Sequence, residues 1–124
     1  MNKTELLDQL KIELKRHGFR KNRTTWRKDF GEVIAVLNVQ TSQWDNDDYF
    51  INLGVYLKCL GDNESPTEFK CHVRTRLEHE MKHIDITVTE ALKWFKERST
   101  ISLIRDRAKE DSSHGLVMKA VREL

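Results

Sequence analysis

Proline occurs once in this chain, at Pro66, and cysteine only twice, at Cys59 and Cys71. Two cysteines are too few for a disulfide framework, and there is no C-x-x-C pair to suggest a thiolate zinc site. They flank a loop rich in Gly, Asp, Asn and Ser, where two half-buried thiols facing each other across a hairpin are expected. With His72 they make at most a loose set of soft metal donors. No apolar run approaches the roughly 20 residues that cross a bilayer. The amphipathic start, Met1 to Leu14, lacks the apolar core and small-residue cleavage site of a secretory signal. A cytoplasmic protein with no membrane association is the expectation. Gly-rich phosphate loops, nucleophile elbows and dinucleotide fingerprints are missing as well. No cofactor is expected.

What is present is periodic. Charged residues make up 34% of the 124, which is polar for a globular chain, but the apolar residues cluster in phase. That argues against disorder and for one domain over residues 1–124. Asn2 and Glu5 have the spacing of a capping box. Leu6, Leu7, Leu10 and Leu14 then form one stripe of a helix over about 3–17, closed by Gly18. Thr24–Phe30 alternates as a first strand, and Asp29-Phe30-Gly31-Glu32 reads as a tight turn. Strands follow from Val33 to about Ser42, from Tyr49 to Leu57, and over roughly Phe69–Leu77. Thr87 and Glu90 have capping-box spacing before the stripe Val88, Ala91, Leu92 and Phe95. Ser99 is placed to cap a helix carrying Ile101, Ile104 and Ala108, which Asp111-Ser112-Ser113 breaks. Leu116, Val117, Ala120, Val121 and Leu124 suggest a last short helix. The sum is an α+β fold: an N-terminal helix, a four-stranded antiparallel meander, and two to three C-terminal helices packed on one face.

Alternation also sorts the strand residues by face. Leu37, Val39, Leu53, Val55 and Val73 belong to the core side. Asn38, Gln40, Asn52, Tyr56, His72, Arg74 and Arg76 belong to the other. Arg74 and Arg76 place two guanidiniums on one side of one strand, where an anion or an acidic partner offsets their repulsion. Asn38, Gln40, Asn52 and Tyr56 add hydrogen-bonding groups, so this face is the candidate binding site. The alternative is internal pairing, with Glu32 or Glu68 for instance.

Two other motifs compete. His79-Glu80-Met81-Lys82-His83 matches H-E-x-x-H, in which two imidazoles one helical turn apart hold zinc and the glutamate serves as general base. No third ligand stands out beyond Glu90 or Glu97, and a solvated charged segment explains His79 and His83 better than a metal site does. The charge is also divided along the chain. Residues 1–30 carry nine basic and four acidic side chains, and residues 31–68 carry one and seven. The basic stretch Lys15–Lys28, with Phe19 and Trp26 interleaved, has the composition of a nucleic-acid contact but no recognisable nucleic-acid fold around it. A nucleic-acid partner is therefore not expected.

Several segments resemble the bacterial family called domain of unknown function 4304. They are Gly18-Phe19, the aromatic–x–basic strand Trp26 to Lys28, Val36-Leu37-Asn38-Val39-Gln40-Thr41-Ser42, Phe50-Ile51-Asn52-Leu53-Gly54-Val55 and Arg74-x-Arg76-Leu77. The resemblance covers about residues 17–77 and implies no established activity and no catalytic set. By analogy of size and kind, an immunity protein that neutralises a toxin domain is the expected class. A non-enzymatic binding protein is thus the leading expectation. A small metal-dependent hydrolase using His79, Glu80 and His83 is the alternative.

Overall fold

A computed structural model describes residues 3–41, 49–77 and 84–124 of the chain. Helix α1 (Lys3–Arg16) opens the fold, with Glu5 in its first turn and Lys15 and Arg16 in its last, both favourable to the helix dipole. Its end follows from Gly18, whose φ of +85° lies in the left-handed region. There the Phe19 amide reaches back to the Leu14 carbonyl at 2.9 Å and the Gly18 amide to that of Lys15 at 3.1 Å. Phe19 is thereby turned into the core beside Leu14.

Six strands follow: β1 (Arg20–Asn22), β2 (Thr25–Asp29), β3 (Val33–Thr41), β4 (Tyr49–Leu57), β5 (Val73–Leu77) and β6 (Leu116–Val117). They form one sheet in sequence order, antiparallel throughout. Helices α2 (Ile84–Lys96), α3 (Ile101–His114) and α4 (Lys119–Arg122) complete the chain. The expected α+β class and helix placement stand. The sheet has six strands rather than four, because a short edge strand extends the meander on each side, β1 on one and β6 on the other.

Each departure from expectation has a local cause. Arg20–Asn22 is too short for an alternation signal, yet it pairs with β2 through a tight turn in which Arg23 takes a φ of 57°. Leu116–Val117 leaves the expected last helix because the open edge of β5 takes its backbone, with Val73 opposite Val117. The fourth strand begins at Val73 instead of Phe69. Glu68–Lys70 coils into a single 3-10 turn that leaves Phe69 exposed and turns Glu68 inward. Thr87 does not cap α2; it lies buried one turn inside, since Ile84 extends the packed stripe backward. Thr100 rather than Ser99 caps α3, its hydroxyl accepting from the Leu103 amide at 3.2 Å. Ser99 instead donates to the Lys96 carbonyl at 2.9 Å. The helix continues through Asp111-Ser112-Ser113 because Asp111 is held inward and the Ser112 hydroxyl bonds back to the Ala108 carbonyl.

Asp111 faces Arg98, and both side chains are more than nine-tenths buried. Arg98 donates to both Asp111 oxygens, at 2.9 and 2.6 Å, and to the Trp94 carbonyl at 3.0 Å. Its guanidinium also lies over the Trp94 ring, 4.4 Å from the centroid. A buried pair of this kind is well satisfied as it stands, and losing one partner strands a charge in the interior. It fastens α3 to the end of α2.

The sheet face bearing Leu37, Leu53 and Val55 packs against Leu6, Leu10 and Leu14 of α1, Val88, Ala91 and Phe95 of α2, and Ile104 of α3. Leu37, Val39, Leu53, Val55 and Val73 are all in this core, as their parity requires. Leu53 is fully buried there. Leu53→Ala should lower unfolding free energy by about 2–5 kcal/mol, measured by denaturant titration. A neutral result would mean that the two sheet faces are reversed.

Candidate functional site

The strand register arranges the opposite face in rows. One row runs Asn22, Thr25, Asn38, Asn52 and Arg76; the next runs Arg20, Arg27, Val36, Gly54, Arg74 and Leu116. A third pairs Asp29, Ile34 and Tyr56, while Gln40 stands opposite Phe50. The expected polar residues therefore do share a face. That face is not fully open, because the segment from Lys58 to His72 crosses it as a strap.

The strap seats where Gly54 leaves room for Cys71. A Cβ at position 54 would stand 2.7 Å from the Cys71 Cβ and 2.8 Å from its Sγ, closer than such atoms approach. Cys71, Val36, Ile34 and Tyr56 make a small second core beneath the strap. Polar contacts hold it on both sides. Arg27 Nε donates to the Pro66 carbonyl at 2.8 Å. Arg74 grips Glu68 with Nε at 2.9 Å and a terminal nitrogen at 3.1 Å. The Tyr56 hydroxyl accepts from the Asn63 amide at 3.2 Å. Lys58 reaches both oxygens of Asp29 at 2.7–2.8 Å and holds that carboxyl below its usual pKa.

The strap sorts the candidate residues into two kinds. Tyr56 is buried beneath it, its ring 4.6 Å from that of His72. Arg74 is committed to Glu68, the internal pairing that was the alternative for this residue. Neither is presented to a partner as freely as its parity suggested. Asn38, Gln40, Asn52 and Arg76 lie beyond the strap; Gln40, the buried Asn52 and Arg76 form a chain, and Asn38 is tied to β2 instead. Asn38 Nδ2 donates to Thr25 Oγ1 at 3.0 Å. Asn52 Nδ2 donates to Gln40 Oε1 at 3.0 Å, and Arg76 Nε donates to Asn52 Oδ1 at 2.9 Å. The Arg76 guanidinium also stacks over Phe50, 4.3 Å from the ring centroid. Arg76 is thus exposed but held on two sides. A depression of about 360 Å³ beside it is lined by Asn52, Glu68, Arg74 and the half-exposed Leu116. Phe50 and Leu116 were not singled out from the sequence. Parity marked Phe50 as outward, but nothing local announced that Leu116 would join the sheet.

The other motifs fare differently. The H-E-x-x-H stretch, His79 to His83, lies outside the described residues, as do Asp45, Asp47 and Asp48, three of the seven acidic residues of 31–68. Among the described residues no group of three His, Cys, Asp or Glu side chains is placed to hold a metal ion. The thiols are not matched across a hairpin: Cys59 is exposed and Cys71 buried. Burial pushes the Cys71 thiol up to about 12, and the nearby Glu68 carboxylate adds to this. His72 is buried too, with its Nδ1 accepting from the Leu57 amide at 2.9 Å. Burial lowers its pKa below 6.5, so the ring is neutral at neutral pH and fills the role of a backbone acceptor.

An α+β domain results, with one sheet face sealed by helices and the other strapped, polar and partly open. Among the described residues, no helix is long and apolar enough to cross a membrane. The model of the family described as a domain of unknown function, DUF4304, matches residues 10–115, and the chain belongs to that family. No curated protein and no solved structure matches it.

Two outcomes test the strap. In native protein a thiol reagent at mild alkaline pH should modify one cysteine, Cys59, and in denaturant two; two fast-reacting thiols in the native state would show that the strap does not cover Cys71. His72 binds a proton more weakly folded than unfolded, so its contribution to stability is full above about pH 6.5 and is lost as pH falls through its lower folded pKa. Melting temperature should therefore fall in that window, and His72→Asn, which keeps an acceptor, should flatten the fall. An unchanged profile in the variant would exclude His72 as the cause.

Proposed function

We propose that this chain is a non-enzymatic binding protein that holds an acidic surface of a partner protein on the open flank of the sheet. The observation that carries this reading is the state of Arg76. An exposed arginine ordinarily loses side-chain freedom on binding. Here Asn52 and Phe50 have already restricted it, while both terminal nitrogens of the fork have no partner among the described residues. Arginine is among the residue types enriched at interface hot spots, and here it is already stacked over an aromatic ring. The same residues include no nucleophile–base pair, and buried His72 is occupied by a backbone amide. The specific case we favour is neutralisation of a toxin domain, a role that needs a stable complementary surface and no reacting group.

Arg76→Gln is the test, because it removes the charge without touching the strap. The variant loses a part-buried hydrogen bond to the nearly buried Asn52, so it should keep the fold and lose about 1 kcal/mol of stability. A partner recovered by affinity purification from the source cells should bind it about tenfold or more weakly, consistent with a charge-assisted hydrogen bond. That partner expressed alone should arrest growth, and co-expression with the wild-type chain should restore it. Equal binding by wild type and Arg76→Gln would remove this face as the site. A partner harmless on its own would remove the toxin assignment.

A further inference from the structure

The strap leaves a second flank, on the far side from Arg76. There the β1–β2 hairpin sets Arg20 directly opposite Arg27 on the outer face. Like charges across an antiparallel pair repel. Among the described residues neither arginine has a carboxylate within ion-pair distance, although the fold elsewhere pairs Arg74 with Glu68 and Arg98 with Asp111. Arg27 is nonetheless oriented, since its Nε is bound to the Pro66 carbonyl of the strap and its terminal nitrogens remain available. Between hairpin and strap lies a groove of about 610 Å³. Arg20 and Arg27 contribute two guanidiniums to its lining, against the carboxylates of Asp29 and Glu64; Lys21 and Lys28 border it too, but their ammoniums lie over the Trp26 and Phe30 rings on the other side of the hairpin. Asp29 is already neutralised by Lys58. Asn22 and Ser65 add neutral polar groups, and the buried Ile34 gives the groove an apolar patch.

We propose that this groove binds a small organic phosphate, with Arg20 and Arg27 as its two anchors. Two guanidinium forks side by side match the several oxygens of a phosphate better than the two of a carboxylate. The volume exceeds what a lone inorganic ion fills and lies within the range of small-molecule sites. Room therefore remains for an organic portion against Ile34. The groove is bounded by the strap, a feature that suits a compact ligand more than a continuous polymer backbone. This site is separate from the partner-binding flank and does not depend on that reading.

Inorganic pyrophosphate is the first probe, titrated calorimetrically into the full chain. Saturable one-to-one binding is expected. Arg20→Gln, at an exposed position with no contact to the strap, should weaken it about tenfold or more. Arg76→Gln should leave it unchanged. Arg27→Gln is the secondary variant, because it also loosens the strap at Pro66. Absence of saturable binding to the wild type would overturn the proposal, as would equal affinity in Arg20→Gln. A single-stranded RNA oligonucleotide that binds tightly and is not displaced by pyrophosphate would overturn it in favour of a nucleic-acid track.

Discussion

In the pairing of β3 with β4, Val33 stands opposite Leu57 and Thr41 opposite Tyr49, and every residue between follows in step. Both strands are interior to the sheet, so the remaining four take their register directly or indirectly from this pair. Side chains alternate with a period of two, and a slip of one residue would carry out of the core either Leu37 and Val39, if β3 shifted, or Leu53 and Val55, if β4 did. The first slip would turn Asn38 and Gln40 toward the apolar helix side, and the second would do the same to Asn52. The large cost on both faces makes this the constraint on which the rest of the molecule depends. Gly54 opposite Val36 is part of the same register, and it is the point at which the strap can touch the sheet.

The outer face then has two uses. Under the strap it is interior, made of Ile34, Val36, Tyr56 and Cys71, and closed at its margins by Arg27 and Arg74. On either flank it is surface. Arginines mark both boundaries, and each spends part of its fork on the strap and leaves part outward or bound to a buried acid. Because Arg74 neutralises a nearly buried carboxylate, it belongs to the scaffold. Arg76, two residues on and pointing the same way, does not. The chemical difference between them is set by where the strap runs and not by residue type.

Residue patterning carried a good deal of this. The leucine stripe of α1 and its glycine stop, the turn at Gly31, the core-facing valines and leucines, and the common face of Asn38, Asn52 and Arg76 all depend on local periodicity. The misses share a cause. Arg20–Asn22 and Leu116–Val117 are strands only because an edge was waiting for them. A two- or three-residue segment has no period to read. Thr87, Ser99 and Asp111 were each assigned a boundary role from their polar side chains, but packing extended the helices past the first and the third. The buried partnership of Asp111 with Arg98 shows why: a distant guanidinium satisfies a side chain that would otherwise favour a break.

The sequence by itself determined which residues alternate, which stripe is apolar, and therefore which side of each long strand faces the helices, because these are short-range consequences of backbone period and hydrophobic burial. Membership of the family agrees with segments readable along the chain. Only the tertiary structure decided that the Lys58–His72 segment lies across the sheet, that Tyr56 and Cys71 are interior, and that Arg20 and Arg27 meet across a hairpin. These depend on contacts between residues far apart in the chain, such as Arg27 with Pro66 and Gly54 with Cys71. Their energies arise only when the whole sheet is in register.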